Sequence, residues 1–201
     1  MMKTLTDSLP ITTFNLVTFL SNFLQLTKFR LATSVVFSSV AGYLLAVDQI
    51  EMSILLGLFF GGFAMVGASN AFNQWIEKDK DALMDRTKNR PLPAGRMNNL
   101  TALTIASLLT LGGIYILNNI NFKTALFGSL SIFIYTCVYT PLKSLTPLSV
   151  FIGAFPGAIP FMLGWVAATG SFGIEPGLLF MVQFFWQFPH FWAIGWMMDD
   201  D

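Results

Sequence analysis

Charge is what this sequence has least of. Only 11% of its 201 residues are Asp, Glu, Lys or Arg, against roughly a quarter in an ordinary soluble domain. That deficit excludes a soluble globular chain, which needs a polar surface around its core. Hydrophobic residues make up 54%, so lipid has to cover much of the outside. Cysteine is nearly absent as well. Cys137 stands alone in an apolar run, which excludes an intramolecular disulfide and a cysteine-built metal site and reads as a buried structural thiol. The net charge is zero, so composition offers no argument for a nucleic-acid partner, and none is expected. No cleavable signal and no Arg- and Ser-rich transit peptide is evident. A bacterial inner (plasma) membrane is the expected location.

Long hydrophobic runs are what the sequence does have. A spanning helix takes about 20 mostly apolar residues, and six stretches qualify: 31–47, 52–75, 101–118, 124–140, 147–168 and 176–198. None of them contains a charged residue. The expected fold is all-α, a polytopic transmembrane helix bundle in one membrane domain, 1–201. Residues 1–30 form a cytoplasmic or interfacial N-terminal segment, in which 11–27 read as an amphipathic helix lying in the interface. Placing the N-terminus in the cytoplasm puts ten Lys and Arg residues on that side, against Lys123 alone on the other. This is the positive-inside bias of a multi-pass membrane protein. The 76–100 loop, Lys143 and the acidic run Asp199, Asp200 and Asp201 then share one membrane face. Gly153, Pro156, Gly157, Pro160 and Gly164 punctuate the fifth stretch. They read either as plain close packing or as a kinked helix lining a cavity.

The charge that exists is concentrated between Asn70 and Arg96. Asn73, Glu77 and Asp81 recur at i, i+4, i+8 and so share one helical face, with Asp85 extending the row. Oxygen ligands in line at a membrane edge suit Mg²⁺, which takes one or two carboxylates and completes its shell with water and substrate phosphates. Arg86, Lys88, Arg90 and Arg96 follow directly, and bases beside acids suit the remaining oxygens of a metal diphosphate. The competing reading is a solvated loop with positive-inside charges. Against it, the acids share a face, and Asn70 and Asn73 enter the end of an apolar helix, where polar side chains are costly. Topology lets Asp200 and Asp201 face the first acidic group across the mouth of the bundle. His190, the single histidine, lies in Trp186-Gln187-Phe188-Pro189-His190-Phe191-Trp192. It reads as hydrogen-bonded structure, as an axial ligand to haem iron or as a proton-transfer group.

At these residues the sequence resembles a known family. NQWIEKDKDALMDRTKNRPLPAG, from Asn73, is similar to the first signature of the UbiA-type intramembrane prenyltransferases. YTPLKSLTP from Tyr139, GAFPGAIPFMLGW from Gly153 and WQFPHFWAI from Trp186 resemble further segments of its haem-modifying branch. The resemblance covers nearly all the chain after about residue 28. It implies a helical bundle with a central cavity, a length nearer 300 residues and about nine helices, of which about six are present here. It implies Mg²⁺ as cofactor, held at Asn73, Glu77, Asp81, Asp200 and Asp201. Arg86, Lys88, Arg90 and Lys143 are then expected on the diphosphate, with Asn73, Glu77, Asp81, Arg86 and Arg90 carrying catalysis and His190 binding haem. The implied partners are farnesyl diphosphate, haem B and the lipid bilayer, with contact to haem A synthase or a terminal oxidase assembly. Two rivals stay open: an aromatic quinone precursor as the acceptor, and a membrane transporter or structural subunit with no activity.

Overall fold

A computed structural model describes residues 15–197. Seven helices follow one another: α1 (Leu16–Leu26), α2 (Phe29–Leu44), α3 (Met52–Asp81), α4 (Asn99–Ile120), α5 (Phe122–Leu142), α6 (Ser149–Thr169) and α7 (Ile174–Met197). There is no strand among the described residues. Each of the six expected stretches is helical over most of its described length. Four of them (α3, α4, α5 and α6) are long and apolar enough to cross a membrane. The 16 residues of α2 rise about 24 Å, short of a hydrocarbon core of about 30 Å. α7 has the length, but Gln183, Gln187 and His190 dilute its apolar character.

Local sequence explains the ends of these helices. Asn15, Asn98 and Asn121 cap α1, α4 and α5, their side-chain oxygens accepting from backbone N–H groups of the first turn. Gly170 ends α6 in the left-handed conformation, at φ +65°. Asn121 does two jobs. Its Oδ1 accepts from the Thr124 amide at 2.9 Å, and its Nδ2 donates to the carbonyls of Val166 and Ala167 at 3.2 and 3.3 Å. It thereby caps one helix and satisfies late carbonyls of another.

α3 packs along α4 and α2, and α2 packs in turn against α6, which carries α7. α5 closes the group between α4 and α6. The main core joins Tyr43, Leu58, Met65, Leu117, Ile159, Met162, Leu163 and Val166 from α2, α3, α4 and α6. Lipid tails are as apolar as leucine, so helix association here depends on close packing. The α2–α6 seam is the tightest case. A Cβ on Gly164 would lie 1.9 Å from the Ser39 carbonyl oxygen, and one on Gly42 would lie 2.0 Å from that of Phe161. Outside, Phe37, Tyr115, Trp192 and Trp196 are exposed, as a lipid-facing surface requires. Cys137, expected to be buried, is exposed too; its apolar run faces outward at that position.

α1 covers Leu16–Leu26 of the amphipathic helix expected over 11–27, and its one buried polar residue, Asn22, meets the loop after α3. Leu16, Val17, Leu20 and Leu24 are exposed, while buried Asn22 and exposed Gln25 receive the Arg96 guanidinium at 2.9 and 2.8 Å. Arg96, read from sequence as a base for phosphate, instead ties α1 to the loop after α3.

Candidate functional site

α3 continues as helix beyond its apolar stretch to Asp81, which carries the polar row out of the membrane-spanning part. Asn73, Glu77 and Asp81 lie on its inward face, with Glu77 6% and Asp81 4% exposed. Asp85 falls past the end of the helix. It is 88% exposed and pairs with Lys88, so it does not extend the row. Asp79 is exposed.

Two buried carboxylates need partners, because an unpaired buried charge is expensive. Arg90 Nη1 donates to Asp81 Oδ2 at 2.7 Å, and Lys143 Nζ donates to Glu77 Oε2 at 2.5 Å. The loop is shaped to deliver Arg90. Leu92 and Met97 bury their side chains in a cluster with Leu26, Ala71, Ala102 and Ala106. Pro91 and Pro93 break the helix, Gly95 turns at φ +67°, and Thr87 Oγ1 donates to the Asp81 carbonyl at 2.8 Å, closing the end of α3. Lys143 arrives from the opposite side, just past α5.

The last part of α5 is π-helical at Ile134–Tyr139, a geometry that recurs at functional sites. Here it sets Thr140 against α3. Asn73 Nδ2 donates to Glu77 Oε2 at 2.9 Å and to Thr140 Oγ1 at 3.2 Å, and Thr140 Oγ1 donates to the Tyr135 carbonyl at 2.8 Å. With its Nδ2 committed in this way, Asn73 has Oδ1 left to offer a cation.

Above the row lies a cavity of about 490 Å³. Its wall includes Ser34 and Ser38 of α2, Ser69 and Asn70 of α3, Tyr135 and Tyr139 of α5, and Gln183, Gln187 and His190 of α7. Gly153, Pro156, Gly157 and Pro160 line it as well, so α6 is the cavity-lining helix of the two readings offered by sequence. Pro160 has no N–H to give the Pro156 carbonyl, and Ser131 Oγ of α5 donates to that carbonyl instead, at 3.4 Å. A Cβ on Gly157 would meet the Gln187 amide at 2.8 Å. Asn70 and Tyr139 line the cavity within one turn of Asn73 and Thr140, so one end of the cavity borders the charged row.

Of the residues singled out from sequence, Asn73, Glu77, Asp81, Arg90 and Lys143 come together. His190 is exposed on the cavity wall, away from the row. Arg86 is exposed in the loop, and Lys88 is held by Asp85. Asp200 and Asp201 lie outside the described residues. Sequence reasoning passed over Thr140, Tyr135, Tyr139, Gln183 and Gln187. The Gln183, Gln187, His190 spacing of i, i+4, i+7 was a readable signal, a polar stripe on an otherwise apolar helix. Lys28 was read only as a topogenic charge. It is half-buried beside the row, where burial, then Arg90 and Lys143, lower its pKa to about 8 against the pull of Asp81 and Glu77.

Among the described residues no three His, Cys, Asp or Glu side chains gather to hold a metal by themselves. Two carboxylates and an amide oxygen on one face still fit Mg²⁺, which takes few protein ligands and adds phosphate oxygens and water.

Comparison with known proteins identifies the family and the fold. Residues 35–201 match the model of the UbiA prenyltransferase family. The chain is 68% identical over 182 residues to a protoheme IX farnesyltransferase of Christiangramia forsetii, covering 90% of this chain and 61% of that relative. It is 39% identical over 178 residues to the human mitochondrial protoheme IX farnesyltransferase, covering 88% of this chain and 40% of the relative. The chain thus spans about 61% of the length of the bacterial relative. Two solved structures share the fold. One comes from work on digeranylgeranylglyceryl phosphate synthase in membranes, at TM-score 0.74 and 20% identity over 82% of this chain and 58% of that one. The other is a UbiA homolog from Archaeoglobus fulgidus bound to DMAPP and Mg²⁺, at TM-score 0.72 and 18% identity over 84% of this chain and 62% of that one. A helical membrane bundle, an acidic row paired with bases at one cavity end and a family match over most of the sequence lead to one statement: this chain belongs to the UbiA prenyltransferase family.

Proposed function

We propose that this chain transfers a farnesyl group from farnesyl diphosphate to a vinyl group of haem B, giving haem O for terminal oxidases. The observation that carries the reading is the Glu77–Asp81 row, faced by Lys143 and Arg90, beside a cavity whose wall includes His190. The names of the relatives at high identity support the haem acceptor.

In this reading Asn73, Glu77 and Asp81 hold Mg²⁺, joined by Asp200 and Asp201. The bound ion supplies positive charge to the diphosphate oxygens as the allylic C–O bond breaks. Arg90 and Lys143 stand beside the carboxylates and meet the charge that develops on the leaving diphosphate, a stabilisation built before the reaction begins. Arg86 and Lys88 add positive potential from the loop. The serine- and aromatic-lined cavity keeps water from the allylic cation, and the Tyr135 and Tyr139 rings offer it π faces. The vinyl carbon is itself the nucleophile, so carbon–carbon bond formation needs no general base. The cation this leaves on the other vinyl carbon is quenched by a water molecule, which loses a proton to solvent and supplies the hydroxyl of the product, while the diphosphate departs with its bonding electron pair. His190 orients the haem from α7. The positive-inside rule puts the row on the cytoplasmic side of a bacterial inner membrane, where the product is available to haem A synthase or an oxidase assembly.

The test is direct. The protein, expressed from its complete coding sequence, is incubated in nanodiscs with Mg²⁺ and farnesyl diphosphate, with either haem B or a hydroxybenzoate. A hydroxyethylfarnesyl haem is the expected product. Prenylation of the benzoate alone would transfer the assignment to the quinone branch, and no transfer to either acceptor would favour a non-enzymatic role.

A further inference from the structure

Past its first turn, α7 is apolar except for one stripe. Gln183, Gln187 and His190 recur at i, i+4 and i+7, and all three line the cavity. α7 packs on α6 rather than along α3, so this stripe and the Glu77–Asp81 row belong to different walls. A carboxamide in an apolar helix of a membrane protein is costly unless it is hydrogen-bonded. The amides of α3 meet that demand inside the fold: Asn70, Asn73 and Gln74 all donate to neighbouring elements or side chains. The two glutamines of α7 do not. Both are half-buried, and among the described residues neither side chain has a hydrogen-bond partner. They are not used to hold helices together.

Gln187 is nonetheless fixed in place. A Cβ on Gly157 would lie 2.8 Å from its Cδ and its Nε2 and 3.0 Å from its Oε1. The carboxamide therefore rests on the bare backbone of α6, with its edges open to the cavity. Gln183 stands one turn along the same stripe.

The proposed reaction makes two opposed demands on this cavity. Water has to be kept from the allylic cation, and one water then has to reach the cation left on the vinyl carbon. Such a water needs a fixed place, acceptors for both its protons, and a lone pair facing the cation. Two carboxamide oxygens at i and i+4 supply the acceptors. Their Cβ atoms stand about 5–6 Å apart on a helix, a gap that one water spans with hydrogen bonds of about 2.8 Å. An amide suits this duty better than a carboxylate. It is neutral, so it does not trap either cation as an ester, and it is too weak a base to pull a proton from the intermediate.

We propose that Gln183 and Gln187 hold the water that quenches the vinyl-derived cation, and that Gly157 positions Gln187 for this step. The inference rests on the reading of the cavity as the site of haem prenylation. The water oxygen gives a lone pair to the cationic carbon, a C–O bond forms, and the oxonium loses one proton to solvent. The diphosphate has already left with the electron pair of the broken allylic bond, so charge balances. Where no water is held, the same cation loses a proton from the adjacent methylene and becomes an alkene.

The experiment uses the protein expressed from its complete coding sequence, in nanodiscs, with Mg²⁺, farnesyl diphosphate and haem B. Mass spectrometry and chiral chromatography give the ratio of alcohol to alkene, which is lighter by one water, and the handedness of the alcohol. Wild type is expected to give mainly alcohol of one hand. Gln183→Leu and Gln187→Leu are each expected to lower the ratio about fivefold to tenfold, the effect of one neutral hydrogen bond. The double variant is expected to give alcohol of both hands. Leucine suits an apolar helix better than glutamine, so assembly is not at risk. Gly157→Ala displaces the Gln187 amide without removing it. It is expected to lower the ratio in wild type and to change little in Gln187→Leu, because both act through one group. Total farnesyl transfer is expected to stay within about threefold of wild type in every variant, since the allylic bond breaks at the row. An unchanged ratio and a single hand in the double variant would overturn the inference. A fall in total transfer at an unchanged ratio would overturn it too, since the glutamines would then bind the acceptor and not the water. If wild type transfers no farnesyl to haem B, the reading of the cavity itself fails.

Discussion

Glu77 and Asp81 illustrate what a single residue can and cannot announce. Their i, i+4 spacing placed them on one face before any coordinates, because helical geometry alone decides it. Their partners were not legible. Arg90 lies nine residues from Asp81 along the chain, and Lys143 lies 66 from Glu77; only packing brings them near. Neutralising one carboxylate leaves its cation unpaired and takes an oxygen from the site. Glu77→Gln and Asp81→Asn are each expected to lower kcat by about 10²–10³-fold, with helical circular dichroism unchanged; wild-type rates in either would remove that residue from the site. Lys28 yields a second expectation, in pH. Its folded pKa of about 8 lies below the ordinary lysine value of 10.5, so between these values the unfolded chain binds the extra proton. Stability of the anion-free protein therefore rises with pH from about 8 toward 10.5. A thermal melt of wild type against Lys28→Met over that window checks it: the wild-type Tm should climb relative to the variant, and parallel curves would contradict the shift.

Among the helices, α6 shows how small residues do two jobs. Near its C-terminal end α6 carries Gly164, whose missing side chain lets α2 approach to backbone contact. Earlier turns of the same face carry Gly153, Pro156, Gly157 and Pro160, which open the cavity. Sequence showed the residue types but left packing and cavity-lining as rivals; the structure uses both, at different heights along one face. Gly164→Ala inserts a methyl where the Ser39 carbonyl oxygen lies 1.9 Å away, so α2 and α6 must separate. The expected cost is about 3 kcal/mol, read as a lower Tm in detergent and a smaller folded fraction. Gly112→Ala meets nothing within 4 Å and is expected to be neutral, which controls for a glycine effect in general. The π-helical stretch of α5 was not legible at all. Nothing in IYTCVY breaks an α-helix, and its register comes from the contacts of Thr140 and Tyr139 with α3 and α6.

For the whole molecule, the arrangement of charge makes a topological statement that one labelling experiment checks. Cys137 is the single cysteine, so Cys137→Ser is a clean background. Asn89→Cys, in the basic loop, and Lys123→Cys, in the first turn of α5, are expected to react with an impermeant maleimide from opposite sides. In inside-out vesicles Asn89→Cys should label and Lys123→Cys should not. Equal labelling of both, or the reverse pattern, would overturn the positive-inside orientation. The same arrangement places the row and Lys143 at one end of the bundle; in the proposed reaction a water-soluble diphosphate and a lipid-soluble chain would reach the site there from different phases.

Composition alone determined that this protein lives in lipid, because 11% charge cannot clothe a soluble core. Periodicity determined the acidic row, because a helix repeats every 3.6 residues wherever it is folded. What the tertiary structure decided was pairing. Lys88 and Arg96 looked equivalent to Arg90 in the sequence, yet one is held by Asp85 and the other by α1, while Arg90 alone of the three pairs with Asp81. Lys28 looked like a topogenic charge and lies half-buried at the corner between α1 and α2. Charge is a property of each residue. Which charges meet depends on where loops and corners turn, and contacts distant in sequence set those turns: Leu92 and Met97 against Leu26 and Ala71, and Asn70 and Gln74 on the end of α1.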